Sequence, residues 1–334
     1  VSVKEVTGQE VVPDSGCGHY LWENQSTNLV TYSEDFDNWI KTNITVDRNV
    51  EVSPDGETNA SRINFSAIGS SFIRFISASG DPNGRSFTNS IYLKSDSANS
   101  VQIGILGSGG GLGYITETLA LTNEWQRFDI SQTFSGSGDN VRFRILATEV
   151  GSIFAWGAQL EQQSYATSYI PTSGTSVTRN QDVCNNGGSL ASINSTEGVL
   201  YAEIAINQND SGTFRLISMR DASNGVRIGF GKKDGEDKWY IKLLIGGLDI
   251  TSNTIDFQEG FQKIAIRYKS GDSGVYINGT KVITDASSYV STLTIDSVSF
   301  DFINNGLPFY GKTKCLAVWK EALSDEELTE LTTI

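Results

Sequence analysis

The segment VYINGTKVI, residues 275–283, carries the clearest fold signal in the chain. Apolar and polar side chains alternate on both sides of Asn278-Gly279, as they do in strands with one buried face. Both turn residues tolerate a positive φ, which a type I′ turn requires. The segment therefore predicts an antiparallel β-hairpin in the second half of the chain.

The same period of two recurs in both halves of the sequence. In VRFRI, Val141, Phe143 and Ile145 fall on one face of a strand, and Arg142 and Arg144 fall on the other. Further alternating segments are VQIGI (101–105), SFIRFIS (71–77), FTNSIYLKS (87–95), VRIGF (226–230), WYIKLLI (239–245) and KIAIRYK (263–269). Half-buried strands separated by Gly, Asn, Asp and Ser turns predict antiparallel sandwiches.

A helix is predicted over SDEELTELT (324–332). Ser324 can accept a hydrogen bond at the helix start, and Glu327 stands three residues later, which completes a capping box. Asp325 and Glu326 favour the positive end of the helix dipole. The sequence thus predicts an all-β chain, with two tandem antiparallel β-sandwiches of the jelly-roll type and one short C-terminal helix.

Strand patterns divide the chain into two parts with a connector between them. The segment from 170 to 188 has no periodicity and is rich in Gly, Asn, Ser and Thr. We therefore predict sandwiches over 28–170 and 190–334, joined by a linker over 171–189. Residues 1–27 are irregular and lack a core of their own. They are predicted to be a leading segment that follows an upstream module, which is missing here or has been cleaved off.

Composition excludes several classes of function. The 334 residues include 25 Lys and Arg against 39 Asp and Glu, a net charge of −14, which opposes binding to nucleic acid or anionic membranes. No apolar run approaches the length of a membrane span. Cys17, Cys184 and Cys315 are too far apart for a zinc ribbon or a disulfide framework. Because His19 is the only imidazole, no catalytic residue is predicted, and the chain is expected not to be an enzyme.

The sequence leaves a metal site open, and no cofactor is certain. Calcium prefers clustered carboxylate and carbonyl oxygens, which an acidic, Asn-rich chain supplies in number. The spacing of an EF-hand loop is absent, and a sandwich would draw its ligands from separated loops. Structural calcium is therefore a hypothesis from composition, and an unchanged melting temperature in EDTA would argue against it.

Aromatic side chains are the candidate ligand contacts. Sugar sites often place an exposed aromatic ring against the apolar face of a pyranose, with amide and carboxylate groups on the hydroxyls. Trp39 follows the polar run SEDFDN (33–38), and Trp239 follows the polar turn KKDGEDK (232–238). Tyr114 is the third candidate. Burial in the sandwich cores is the competing interpretation for each of the three.

Three strings in the first half resemble a jelly-roll module that is found in many bacteriophage structural proteins. They are TNLVTYSEDFDNWIKTNITVDRNVEVSPDGETNASRI (27–63), NEWQRFDI (123–130) and FAWGAQLEQQSYATSYIPTSGTSVTRNQDV (154–183). This module is similar to carbohydrate-binding-module sandwiches, and the combination of strings is fairly specific. The resemblance implies that the first sandwich is a jelly roll of that kind.

The second half resembles a laminin-G or concanavalin-A-like sandwich. The strings that carry this resemblance are EGVLYAEIAI (197–206), KIAIRYKSGDSGVYINGTKVITD (263–285) and FYGKTKCLAVWKEALSDEELTELT (309–332). Together the two resemblances cover about residues 20–334, which is nearly the whole chain.

The two resemblances imply a non-enzymatic protein of the virion surface, in a bacteriophage tail fibre or another appendage. Such a lectin-like protein is expected to bind host-surface polysaccharide or other glycans for host attachment, and to contact other virion proteins. Appendage proteins of this kind are commonly homo-oligomers, often trimers. A secreted bacterial protein is the alternative location, and the resemblances supply no ligand residues position by position.

Two other functions stay open. A purely structural fibre or capsid-decoration component would use its sandwiches as spacers or assembly contacts, with no sugar site. An accessory part of a polysaccharide lyase or hydrolase would need convergent acids, or a Tyr, His and Arg set, in a groove. His19 lies outside both predicted cores, which weighs against a lyase. Three experiments distinguish these functions: a glycan-binding test, a map of the neighbouring proteins in the particle, and an assay for product release from polysaccharides.

Overall fold

A computed structural model describes residues 11–14, 17–108, 113–184, 187–206, 215–221, 223, 225–232, 237–301 and 308–334. These residues form two compact units. We call Gln25–Asn180 the first sandwich. The second sandwich consists of the described residues up to Asn24 together with those of Gln181–Ile334. Within the described ranges, no helix is long and apolar enough to cross a membrane.

Nearly all of the regular structure is β-strand, as the alternation predicts. Strands β1 (Val11–Asp14) and β2 (Cys17–Trp22) come first along the chain. The elements of the first sandwich are β3 (Ser26–Asn28), a 3-10 helix (Phe36–Asn38), β4 (Ile40–Thr42), β5 (Ile44–Glu51), β6 (Ala60–Phe65), β7 (Phe72–Ile76), β8 (Ser86–Lys94), β9 (Ser100–Ser108), β10 (Tyr114–Ala120), β11 (Gln126–Thr133), β12 (Asn140–Ala147), β13 (Gly151–Glu161) and β14 (Val177–Arg179). Those of the rest of the chain are β15 (Glu197–Ile206), β16 (Arg215–Asp221), β17 (Val226–Lys232), β18 (Trp239–Ile245), β19 (Leu248–Ser252), β20 (Gln262–Lys269), β21 (Ser273–Ile277), β22 (Thr280–Asp285), β23 (Ile295–Ser299), β24 (Gly311–Trp319) and α1 (Asp325–Thr332).

The first sandwich has two five-stranded antiparallel sheets packed on one core. The strand orders are β10-β9-β12-β7-β4 and β11-β8-β13-β6-β5, and β14 pairs with β3 in a separate ribbon. Val141, Phe143 and Ile145 of β12 are fully buried in this core, in the same cluster as Phe87 and Ile91 of β8. The alternation predicted for VRFRI is therefore confirmed, and the arginines of β12 lie on the outer side of their sheet.

A buried amide joins the beginning and the end of the first sandwich. Nδ2 of Asn28 donates to the carbonyl oxygens of Ala158 (3.2 Å) and Ile170 (2.8 Å). Its Oδ1 accepts from the backbone N–H groups of Val30 (3.0 Å) and Leu160 (3.1 Å). Asn28 lies in the first of the strings that resemble the phage module, and three of its partners lie in the last. These strings therefore hold the sandwich closed.

The second sandwich also consists of two antiparallel sheets. A seven-stranded sheet has the order β1-β2-β24-β15-β20-β21-β22, and a five-stranded sheet has the order β19-β18-β17-β16-β23. The core between them contains Leu200 and Ile264 from the first sheet and Ile217, Phe230 and Ile241 from the second. The predicted strands VRIGF, WYIKLLI and KIAIRYK form β17, β18 and β20.

The hairpin from β21 to β22 has the predicted turn. Asn278 has a φ of 48° and Gly279 has a φ of 79°, and Ile277 pairs with Thr280 across them. Positive φ at both central residues is the geometry of a type I′ turn, whose twist matches that of the flanking strands.

The predicted C-terminal helix is confirmed as α1, and it lies on the outer face of the seven-stranded sheet. Oγ of Ser324 accepts from the backbone N–H of Glu327 (3.2 Å), and Oε2 of Glu327 accepts from the backbone N–H of Ser324 (2.8 Å). Leu328 is fully buried in a small cluster that includes Tyr201 and Tyr276. The helix thus closes a second, smaller apolar layer.

The structure differs from the predicted boundaries at the leading segment. Instead of standing apart from both sandwiches, β2 pairs with β24 inside the seven-stranded sheet, with Tyr20 opposite Thr313. The ring of Trp22 stacks on that of Phe300 at 4.5 Å, and the backbone N–H of Glu23 donates to Asp182 (2.8 Å). The segment lacks a core of its own in the sequence because its partners lie about 160 to 290 residues further along the chain. The existence of an upstream module stays a prediction.

Candidate functional site

Trp39 does not offer its ring to a ligand, which corrects its prediction as a contact. Only 3% of the residue is exposed, and its ring packs against those of Phe36, Phe75 and Phe143. Its indole N–H donates to the carbonyl oxygen of Tyr32 (3.0 Å). The short 3-10 helix turns the chain inward just before Trp39, so the polar run in front of it does not bring it to the surface.

Trp239 is also a core residue, and its prediction as a contact is corrected in the same way. It is fully buried, with its ring 4.8 Å from that of Phe257 and 6.5 Å from that of Phe230. As the first residue of β18 it shares a face with Ile241 and Leu243, which point into the second sandwich. The polar turn before it ends where this buried face begins.

Tyr114 is exposed, unlike the two tryptophans. It is the first residue of β10, an edge strand of the first sandwich, and 69% of it is accessible. Leu119 of the same strand is buried, so alternation places Tyr114, Thr116 and Thr118 on the outer side of the sheet. Tyr114 therefore has the exposure that a stacking contact needs.

Strand register shows what lies beside Tyr114 on this outer side. One row across the sheet is Tyr114, Leu106, Arg142 and Ile76, and the next is Thr116, Gly104, Arg144 and Arg74. We call the outer surface formed by these two rows, together with Gln102, Thr118 and Phe72 of the following row, the arginine face. It combines an exposed aromatic ring, three guanidinium groups, the hydroxyls of two threonines, the amide of Gln102 and the apolar side chains of Leu106, Ile76 and Phe72.

Arg74 and Arg144 are directly opposite each other on neighbouring strands β7 and β12. Both are half-buried, and like charges in this arrangement repel. Burial is the main cause that lowers the pKa of Arg144; nearby Tyr114 acts in the opposite direction, and the charge of Arg74 adds to the lowering. An arginine nevertheless stays charged at neutral pH. The pair is therefore a fixed concentration of positive charge.

Neither member of this pair has an acidic partner among the described residues. The guanidinium of Arg74 lies 5.5 Å from the ring centre of Phe72, and its Nε is inaccessible to solvent without a hydrogen-bond partner in the described part of the chain. Arg142 is different, because it donates to Ser108 and to Oδ1 of Asn140 (3.4 Å). The Nη groups of Arg74 and the guanidinium of Arg144 are thus the donors that a ligand can reach, whereas Nε of Arg74 is not.

Gly104 stands in the middle of the second row, where neighbouring side chains cover it. A Cβ at this position would lie 2.9 Å from Cγ2 of Thr116 and 3.2 Å from the carbonyl oxygen of Ile115. Gly104 is itself buried, so the side chains of Thr116 and Leu106 cover its backbone. Glycine is required there because β10 and β9 approach each other closely.

Neither of the two cysteines whose side chains the structure describes lies at this face. Cys184 is half-buried and Cys315 is exposed, both in the second sandwich, and burial raises the pKa of each thiol, with Glu203 adding to the effect on Cys315. His19 is buried, 5.5 Å from the ring of Phe261. In this environment the two thiols are protonated at neutral pH.

A metal site built from acidic or soft side chains is not found in the described ranges. There, no group of three or more His, Cys, Asp or Glu side chains is placed to hold an ion. Calcium also accepts backbone carbonyl and amide oxygens. Structural calcium therefore stays a prediction.

The sequence contained the signal for these arginines, although they were not predicted as site residues. Arg74 alternates with apolar residues in SFIRFIS, and Arg142 and Arg144 do so in VRFRI. Alternation puts each on an outer face, but it does not show that β7 and β12 are neighbours, since four other strands and their loops separate them in the chain.

No protein-family model matches the chain, and no curated protein matches it either. Solved structures match parts of it. The CBM40 of the Ruminococcus gnavus IT-sialidase is 16% identical, with a TM-score of 0.34 over 42% of this chain and 84% of that one. The enzymatically active domain of bacteriophage CBA120 tailspike protein 4 is 12% identical, with a TM-score of 0.33 over 40% and 21%. The leech intramolecular trans-sialidase is 20% identical, with a TM-score of 0.35 over 46% and 27%.

Proposed function

We propose that the arginine face binds carbohydrate, and that the chain is a non-enzymatic attachment protein. The observation that carries this proposal is the exposed ring of Tyr114 on the same outer sheet face as the guanidinium groups of β7 and β12, the threonine hydroxyls of β10 and the amide of Gln102. An aromatic ring supplies apolar contact to a sugar ring. Planar guanidinium groups and the amide of Gln102 supply directional hydrogen bonds to its hydroxyls.

The expected role of such a site is recognition at a surface. An open sheet face holds a saccharide weakly, because it buries only one side of the ligand. Several copies on one particle would raise the overall binding strength by orders of magnitude. We therefore propose attachment to host-surface glycans by a virion appendage, with a secreted bacterial protein as the alternative setting.

The first test is a glycan array with the purified full chain, run with and without calcium. Saturable binding to one saccharide class is expected. Tyr114→Ala should weaken it about tenfold or more, which corresponds to about 1.4 kcal/mol of binding free energy. Tyr20→Ala is the matched control, because Tyr20 is also an exposed strand tyrosine (48%) but belongs to the second sandwich.

Other results would favour the competing functions. Absence of binding even by clustered protein would support a purely structural component of a fibre or capsid. Release of oligosaccharides from a polysaccharide panel would contradict the non-enzymatic part of the proposal. Binding that survives Tyr114→Ala unchanged would remove this face as the site.

A further inference from the structure

The unpaired charge of Arg74 and Arg144 stands out against the rest of the chain. With 39 acidic residues against 25 basic ones, carboxylates are abundant, and five other arginines of the described ranges pair with them, while Arg85, Arg127 and Arg142 donate hydrogen bonds to neutral oxygens. These pairs are Arg48 with Asp35, Arg62 with Asp96, Arg220 with Asp301, Arg227 with Asp221 and Arg267 with Asp272. The two arginines that face each other across β7 and β12 have no such partner among the described residues.

This arrangement is unfavourable for the free protein. Two like charges repel across neighbouring strands, and half-burial reduces the solvation of both. The inaccessible Nε of Arg74 loses its hydrogen bond to water and gains none from the described residues. Proteins keep such local conflicts mainly where a ligand resolves them. An anionic group between the two guanidinium planes would do so.

The surroundings favour an anion that belongs to a saccharide. A planar guanidinium matches a carboxylate or sulfate group through paired hydrogen bonds. Tyr114 lies one row along the sheet and two strands across from Arg144, which separates their backbones by about 12 Å, a distance that one oligosaccharide spans. The net charge of −14 repels densely charged chains such as nucleic acids.

We infer that the arginine face takes an acidic saccharide, with Arg74 and Arg144 together holding one carboxylate or sulfate group while Tyr114 contacts a sugar ring. This inference rests on the proposed function, and it adds the chemical class of the ligand.

The test compares matched ligands by titration calorimetry on the full chain. The probes are a uronate-containing oligosaccharide, the same oligosaccharide with its carboxyl groups reduced to alcohols, and a sulfated oligosaccharide. At least one acidic probe should bind tenfold or more tightly than the neutral one, and its affinity should fall as salt is raised. The carboxylate and sulfate arms show which group is recognised.

Substitutions then locate the anion. Arg144→Gln and Arg74→Gln should each weaken the acidic probe about tenfold or more and leave the neutral probe unchanged. Arg85→Gln is the control for charge alone, because Arg85 is an exposed arginine of the same sandwich outside this face. Without ligand, Arg144→Gln should raise the melting temperature of the first sandwich by about 1–3 °C, since a repulsion is removed.

The outcomes separate this inference from the proposed function. Equal binding of acidic and neutral probes, lost in Tyr114→Ala but not in Arg144→Gln, would overturn the inference and leave carbohydrate binding in place. Binding to none of the saccharides in this set or on the array would overturn both. Tighter binding of single-stranded DNA or of an acidic peptide than of either acidic saccharide would overturn the inference as well.

Discussion

Asn28 is a residue whose chemistry cannot be replaced by another side chain of similar size. Its amide donates twice and accepts twice, and all four partners are backbone groups in the buried interior of the first sandwich. An aspartate could accept but not donate, and a leucine could do neither. A string such as TNLV (27–30) therefore records how this sandwich is closed rather than what it binds.

Asn28→Ala is expected to lower the free energy of unfolding of the first sandwich by about 3 kcal/mol, because buried backbone groups lose their partners. Urea denaturation followed by tryptophan fluorescence measures this change. Asn123→Ala, at an exposed turn position, is the control and should stay within about 0.5 kcal/mol of the parent. A loss below about 1 kcal/mol for Asn28→Ala would mean that water replaces the amide.

The three predicted ligand contacts show where sequence reasoning ends at the residue scale. Trp39 and Trp239 each follow a polar run, yet both rings are buried. Trp39 comes directly after a 3-10 turn, and Trp239 is the first residue of a strand, so in both cases the chain passes from exposed to buried within one residue. Tyr114 is exposed, as a stacking contact must be. The exposure of a side chain depends on the face of the sheet on which it lies, and polar neighbours in the sequence do not determine that face.

At the scale of elements, local patterns predict strands well and their neighbours poorly. The hairpin around Asn278-Gly279, the capped helix α1 and the alternation in β12 all follow from residues close together in sequence. The pairing of β7 with β12 and of β2 with β24 does not, because their partners are distant in the chain. The arginine face exists only through the first of these pairings, so it could not be predicted.

Helix α1 is held to its sheet by one carboxylate as well as by Leu328. Asp325 accepts from the hydroxyl of Tyr276 (2.6 Å) and pairs with Arg267 (2.7 Å) and Lys281 (2.9 Å). The hydrogen bond from Tyr276, followed by that from Lys281, lowers the pKa of Asp325 well below its ordinary value. The charged form is therefore favoured in the folded state.

Stability should depend on this carboxylate in a defined pH range. The pKa of Asp325 is lower in the folded state than in the unfolded state, where it is about 3.9. The carboxylate therefore contributes fully to the free energy of unfolding above that pH, and the contribution is lost as the pH falls below it. Asp325→Asn should lower the free energy of unfolding of the second sandwich at pH 7 and make the loss between pH 5 and pH 2 shallower. Urea denaturation across this range measures both effects. Glu326→Gln is the control, and an equal effect there would contradict the assignment to Asp325.

At the scale of the whole molecule, the second sandwich is assembled from two separate pieces of chain. The first sandwich is continuous from Gln25 to Asn180, whereas β2 precedes it and all other strands that pair with β24 or β15 follow it. Trp22 connects the early piece to the later core, through its stacking on Phe300. Composition and strand count predicted two sandwiches; they could not predict that one of them is interrupted.

Trp22→Ala should destabilise the second sandwich alone, by about 2 kcal/mol for a half-buried aromatic ring. Differential scanning calorimetry should show a lower melting temperature for one unfolding transition and no change in the other. Trp125→Ala is the reciprocal control, because Trp125 belongs to the first sandwich, where its N–H donates to the carbonyl oxygen of Val52 (2.8 Å). Equal shifts of both transitions in either variant would contradict separate cores.

The interrupted sandwich has a consequence for protein synthesis. Strand β2 leaves the ribosome before the whole of the first sandwich, and its partner β24 follows about 290 residues later. At roughly 5–20 residues per second, β2 waits about 15–60 s for that partner. The first sandwich has time to fold during this interval, while β2 has only β1 as a partner among the described strands and its other edge stays open. This strand is where a chaperone would be expected to hold the nascent chain.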